Sequence, residues 1–423
     1  MTSVAMLLIP RFMQPEDMGL ASLSLGIFAF LLITCEGGFR AYAIRRDLKE
    51  TPVLQGHLLL TQVAHVIFLL LVLSGVWSVG RFFLSDIWMN ALPMVVVMLG
   101  LQPLYFRRQM ATAPLERGMD FRAIGRMELT ENFSYNIALV VSAMASCGAW
   151  SFVVAHAARC VVSYVQSLRI PFSFSGLPWR QWFSGEIRDA YRYGFTLQGA
   201  QWTHNLRGML TTGFIVSFAG APALGLFDRA QTVGNAALGV MQNISERFLF
   251  AYSSKNYPTN PEKCRKVLAR AVKFITWIDK AIYLLILLVG LPLVIRFWGV
   301  KWDGIAPLVP VVALGAAVFG SITFPTYPFL TSIGHVDFVL KMAILALGVT
   351  VIAGPPLILN FGVMGACWLG VIMWAMSFIW LVKAQKVLGR FEWFYHWTGS
   401  VVVSILVYFF ASWLFYGGIY GRN

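Results

Sequence analysis

The chain has 423 residues, of which 58% are hydrophobic and only 12% charged. Soluble proteins devote about 25% of their residues to charge, so this chain lacks the polar surface to keep two or three soluble domains wet. The mean hydropathy of +0.69 agrees. A soluble fold is excluded, and the apolar runs are read as transmembrane helices, which satisfy their own backbone hydrogen bonds in lipid.

Apolar spans fall at 1–12, 18–36, 56–79, 88–106, 128–147, 149–168, 193–216, 222–250, 272–296, 304–330, 338–359, 362–385 and 396–417. The first is a stub and the others approach the ~20 residues a bilayer requires. The opening MTSVAMLLIP has neither a basic stretch nor a small-residue cleavage site, and no signal peptide is expected. The five cysteines are scattered without a CxxC pair, and four lie in or beside apolar runs, so they read as small packing residues.

The net charge of +14 would suggest nucleic acid in a soluble chain; here it reflects loop asymmetry, and no nucleic-acid partner is expected. Of the 33 Lys and Arg residues, 24 fall on the side reached after every second span and five on the other, with Arg159, Arg207, Arg229 and Lys280 inside spans. The basic side is expected to be cytoplasmic.

Three short matches recur in chain order. RFMQPEDMGL (11–20) lies 206 residues before SFAGAPALGL (217–226); GMDF (118–121) and CGAW (147–150) each lie 217 residues before HVDF (335–338) and MGAC (364–367). They imply two six-helix bundles in parallel repeat, related by an axis along the membrane normal, with a cleft between them of the kind transporters use. The expected division is an N-terminal bundle at 1–168, a cytoplasmic amphipathic linker at 169–192, a C-terminal bundle at 193–386 and an extra transmembrane helix at 387–423. Pro171, Gly176 and Pro178 interrupt the linker, and Trp179, Trp182 and Phe183 beside Arg180 and Arg188 suit an interface.

The motifs RFMQPEDMGL (11–20), GGFRAYAIRR (37–46), LERGMDFR (115–122), GAPALGLFDRA (220–230), FWGVKW (297–302) and GVMGA (362–366) together resemble the polysaccharide-transport branch of the MOP flippase superfamily, the Wzx and WzxC-like exporters. Phe227 stands where that family usually has Tyr, and Thr211 where it often has an acid. Only about ten residues precede the first motif, so relative to that family the first helix is expected to be truncated. The resemblance implies a flippase of polyprenyl-diphosphate-linked oligosaccharide in a bacterial inner membrane, serving O-antigen, capsule or exopolysaccharide assembly. It further implies membrane lipids as neighbours, and a polysaccharide polymerase and a chain-length regulator as partners.

No nucleophile motif, phosphate loop or metal-spaced cluster is present, so no enzyme activity, cofactor or metal is expected. The informative residues are the ionisable ones inside spans, which need a cavity or a partner. Arg159, Arg207, Arg229 and His204 are the candidate substrate-binding residues. Gln198, Gln201, His204 and Asn205 extend a polar stripe beside Arg207. Glu36, Arg40, Asp228 and Asp279 are the candidates for coupling or gating. Structural readings stand beside these: Glu36 and Arg40 as a helical ion pair, Asp228 and Arg229 as a local pair, and Arg40 and Lys280 as snorkelling cations. Three other readings are open. An ion-coupled multidrug antiporter of the MATE type wants acids in its cavity, whereas the deep charges here lean basic. A membrane-embedded polysaccharide polymerase wants a large outward catalytic loop, and no outward loop here exceeds about twenty residues. A non-transporting scaffold for an assembly complex would lack a wet cavity.

Overall fold

The computed structural model describes residues 2–40, 42, 52–80, 82–117, 120–170, 185–235, 242, 245, 248–249, 252–253, 256–257, 259–389 and 394–413. Among them there is no strand. The helices are α1 (Thr2–Phe12), α2 (Pro15–Glu36), α3 (Pro52–Gly80), α4 (Asp86–Gly100), α5 (Gln102–Arg117), α6 (Phe121–Met144), α7 (Trp150–Ser167), α8 (Gly185–Asn235), α9 (Pro261–Leu285), α10 (Leu291–Trp298), α11 (Leu308–Ser332), α12 (Val336–Ala375), α13 (Ser377–Leu388) and α14 (Phe394–Trp413). Seven continuous helical stretches among the described residues are long and apolar enough to cross a membrane. The expected interfacial segment around Trp179, Trp182 and Phe183 lies outside the described residues.

The termini of these helices are written locally. Asp120 accepts a hydrogen bond from the Ala123 amide at 3.1 Å and starts α6. Asn260 does the same for Lys263 at 2.9 Å, with Pro261 as the first residue of α9. Such caps satisfy amides that the helix itself leaves free. Within α8, Gly220 adopts φ 86° and ψ 171°, and within α12 Gly362 adopts φ 58° and ψ −140°, so each of these long helices is broken at a glycine.

The breaks carry the repeat. Gln14, between α1 and α2, and Gly220 are separated by the same 206 residues as the first sequence match. Ala145, where α6 ends, and Gly362 are separated by the 217 residues of the later matches. Asp120 and Asp337, at the starts of α6 and α12, share that offset. A turn between two helices in one half thus recurs as a glycine kink in the other.

The chain divides into two compact units, Met1–Val216 and Ser217–Asn423. The helix at 193–216 is therefore counted with the first unit. In that unit α6 packs along α7, α1 lies on α6, α2 and α3 pack on α4, and α5 packs on α3 and α7. In the second unit α11 is central, contacting α9, α12, α13 and α14. Some 83% of its apolar window is buried. Small residues let it sit there: a Cβ added to Gly315 would meet the Trp374 ring at 2.6 Å. Close approach through small residues is how membrane helices gain contact area when lipid removes the hydrophobic incentive. Four cysteines are buried, Cys147 is exposed, and all five are free.

Candidate functional site

The first unit holds a polar seam between α2, α5, α6 and α7. On α5 it follows helical spacing: Gln102, Tyr105, Arg108 with Gln109, and Thr112. Arg108 Nε lies 2.8 Å from Glu131 Oε1 on α6, with both side chains almost wholly buried. Gln109 donates to Glu36 Oε1 at 3.0 Å, and Arg40 pairs with Glu116 at the end of α5. The expected Glu36–Arg40 ion pair is therefore replaced by partners on α5. Two residues four apart near a helix end gave a local pairing, but the packing of α5 across α2 offers each a better-placed group. Arg108 also departs from its expected place in a cytoplasmic loop, since the helix continues to Arg117 and carries it inside.

Arg159, on α7, is half-buried. Its guanidinium donates to the Tyr105 hydroxyl at 3.2 Å and lies 5.1 Å from the centre of that ring. Its Nε is buried and has no hydrogen bond among the described residues. One turn earlier, His156 meets Gln102 Nε2 at 2.8 Å. Arg159 thus has a neutral partner and no carboxylate within ion-pair distance among the described residues.

Arg207 occupies the first stretch of α8. Its contact is with His204 Nδ1 at 3.4 Å on the same helix face. No carboxylate among the described residues pairs with it. Thr211, at the position where an acid was anticipated from family resemblance, donates its hydroxyl to the Arg207 carbonyl at 3.0 Å. Nearby, Trp202 Nε1 donates to Thr34 Oγ1 on α2 at 3.0 Å, which ties this part of α8 to the first unit. Gln201 and His204 are exposed, while Gln198 and Asn205 are half-buried.

In the second unit, Arg229 is buried and its guanidinium bonds the Asp228 carboxylate, with Nε at 3.1 Å. The charges of this pair offset each other. Asp279, on α9, is fully buried, and neither carboxylate oxygen accepts a hydrogen bond among the described residues. On α11, a Cβ added to Gly320 would lie 3.2 Å from Asp279 Oδ2. Lys280 turns to the Ala317 carbonyl on α11 instead of snorkelling outward.

Arg159 and Arg207 therefore lie in one unit on different helices, and Arg229 and Asp279 in the other. The sequence reading missed Arg108, Gln109, Glu116 and Glu131. The signal for the α5 groups was the polar spacing at 102, 105, 109 and 112. Glu131 gives no comparable sign, because its partner is contributed by another helix.

Residues 8–307 match the family described as polysaccharide biosynthesis protein. The chain belongs to that family. An inward-facing multidrug resistance MATE family transporter of the MOP superfamily is similar in fold, with TM-score 0.73 at 13% identity, covering 92% of this chain and 94% of that one. The lipid II flippase MurJ in an inward closed conformation gives TM-score 0.68 at 11% identity, covering 98% and 96%. No curated protein matches the sequence. The fold is all-helical and polytopic, similar to that of these two proteins, and the chain is a multi-pass membrane protein.

Proposed function

We propose that this protein moves a polyprenyl-diphosphate-linked oligosaccharide from the cytoplasmic to the outer face of a bacterial inner membrane, for O-antigen, capsule or exopolysaccharide synthesis. Family membership supports the polysaccharide setting. The observation that carries the reading is Arg207: a guanidinium within a membrane-crossing helix, with a histidine contact and no carboxylate among the described residues. An unpaired charge at such a depth is costly unless water or an anion meets it. A diphosphate is such an anion, and the planar guanidinium binds phosphate through two parallel hydrogen bonds. Arg159, bonded to a neutral tyrosine, retains its charge for the same use. His204 stands beside Arg207 as a polar partner, while Arg229 is already matched by Asp228.

The lipid tail would stay in the bilayer while the sugars and diphosphate cross. Energy would come from the substrate gradient or from coupled protons or sodium. Among the coupling candidates Glu36 is bonded to Gln109, Arg40 to Glu116 and Asp228 to Arg229, whereas Asp279 is unbonded among the described residues. Asp279 is thus the acid best suited to take up a proton or cation. A polysaccharide polymerase would consume the product and a chain-length regulator would act beside it. The basic loops would lie in the cytoplasm.

The similarity to a multidrug transporter concerns the fold alone. Cation export would favour an unpaired acid near the α8 cations, and Thr211 stands there instead. The test is surface-polysaccharide output from a deletion strain complemented with Arg207→Ala and Arg159→Ala. Loss of output at normal membrane levels supports the site, and wild-type output from both variants refutes it.

A further inference from the structure

We infer that the outward face of α9 carries a binding site for the phosphate headgroup of an anionic phospholipid. A groove of about 480 Å³ is lined by Arg270, Lys273, Phe274, Trp277, Ile278 and Ala281. The opposite face of α9, with Leu268, Val272, Ile275, Asp279 and Tyr283, is buried in the second unit, where α9 packs against α11 and α14. The groove therefore opens away from the unit's core.

Its wall is apolar, and two cations stand at one end of it. Arg270 and Lys273 are exposed cations one turn apart. Neither has an acid three or four residues away along the helix, and neither forms an ion pair among the described residues. Arg265, by contrast, is already engaged by Glu262 at 2.5 Å. Like charges at this spacing repel, and an anion between them removes the repulsion. Beyond them Phe274 is 67% and Trp277 54% exposed, an aromatic wall suited to acyl chains.

The depth also fits. Exposed tryptophans gather at the boundaries of the hydrocarbon core. With Trp277 at such a boundary, Lys273 and Arg270 stand one and two turns beyond it, at the level of lipid phosphates. A basic end at headgroup depth with an aromatic end at acyl depth complements one molecule: a phospholipid with net negative charge. Its hydroxyl-bearing headgroup stays in water while the phosphate sits between the cations. This site uses other residues than Arg159 and Arg207 and does not depend on what the protein transports.

The test is native mass spectrometry of the full chain, released from detergent in the presence of phosphatidylglycerol or phosphatidylcholine. Each basic residue near a membrane surface favours anionic lipid by about a factor of five. The wild type should therefore retain phosphatidylglycerol over phosphatidylcholine by at least about tenfold. Arg270→Gln with Lys273→Gln should abolish that preference, while Lys341→Gln, which removes an exposed cation from α12, should leave it intact. Equal thermal midpoints for the wild type and both variants will separate lost binding from lost folding. Phosphatidylglycerol preference surviving in the double variant overturns the site. So does a preference that the double variant loses only for added polyprenyl diphosphate, since the groove would then be a substrate site.

Discussion

Arg108 Nε and Glu131 Oε1 stand 2.8 Å apart between α5 and α6, with 2% and 1% of their side chains exposed. A buried pair of this kind is held by mutual neutralisation, because each charge alone would face a low-dielectric interior. Removing one partner should cost about 3–5 kcal/mol, whereas replacing both with apolar groups of similar volume should cost far less. Glu131→Leu or Arg108→Met alone should lower the thermal midpoint in detergent sharply, and the two together should restore most of it. Additive losses would show that the pair does not act as a unit. The Arg40–Glu116 bridge, with Arg40 38% exposed, is the contrast. Solvent screens it, and Arg40→Ala should shift stability by roughly 1 kcal/mol or less.

A second prediction concerns the kink in α12. A Cβ on Gly365 would lie 2.0 Å from the Leu357 carbonyl oxygen, a backbone atom that cannot swing aside, whereas a Cβ on Gly370 would meet nothing within 4 Å. Gly365→Ala should therefore leave little folded protein in the membrane, and Gly370→Ala should be neutral or slightly stabilising. Fluorescence-detected size exclusion of tagged variants reads this directly. A monodisperse Gly365→Ala peak at wild-type height would contradict the tight turn at Gly362.

These two cases show what was legible. The repeat was visible because Gly148, at φ 53°, and Gly365, where a Cβ would meet the Leu357 carbonyl, are backbone requirements at the shared offset, and such requirements persist as sequence matches. The spans were visible because a bilayer demands apolar length. Arg108 was misplaced because a polar helix face looks like a loop when hydropathy is averaged over both faces. Its partner Glu131 was out of reach because no sequence spacing relates α5 to α6. The Glu36–Arg40 reading failed for the same reason: a local pairing rule cannot see Gln109 and Glu116 arriving from another helix.

Asp279 gives a third prediction. A carboxylate with no hydrogen bond in a buried setting is expensive when ionised. Asp279→Asn keeps the shape and removes the titration, so the protein should fold with a thermal midpoint at or above that of the wild type. If Asp279 carries coupling, transport by this variant should no longer respond to an imposed proton or sodium gradient. An undiminished gradient response in Asp279→Asn would remove it from the coupling scheme.

A fourth prediction separates charge from geometry at Arg207. Lysine preserves the charge but cannot form the bidentate contact. Arg207→Lys should lose much of the export and Arg207→Ala nearly all. His204→Ala should cost less, because His204 contacts the guanidinium at 3.4 Å without supplying a fixed charge. Equal export from Arg207→Lys and wild type would leave only a general electrostatic role. Tyr105→Phe, which deletes the neutral partner of Arg159, should lower output less than Arg159→Ala.

The most direct measurement of the central claim is reconstitution of the full chain into liposomes containing a polyprenyl-diphosphate-linked oligosaccharide with a fluorophore on the glycan. A membrane-impermeant reductant then quenches whatever reaches the outer leaflet. The account predicts that wild-type protein extends quenching beyond the outer-leaflet share found in protein-free vesicles, and that Arg207→Ala returns it to that share. Quenching by wild-type protein no greater than in protein-free vesicles, together with gradient-driven uptake of an organic cation by the same vesicles, would contradict it and favour the multidrug antiporter.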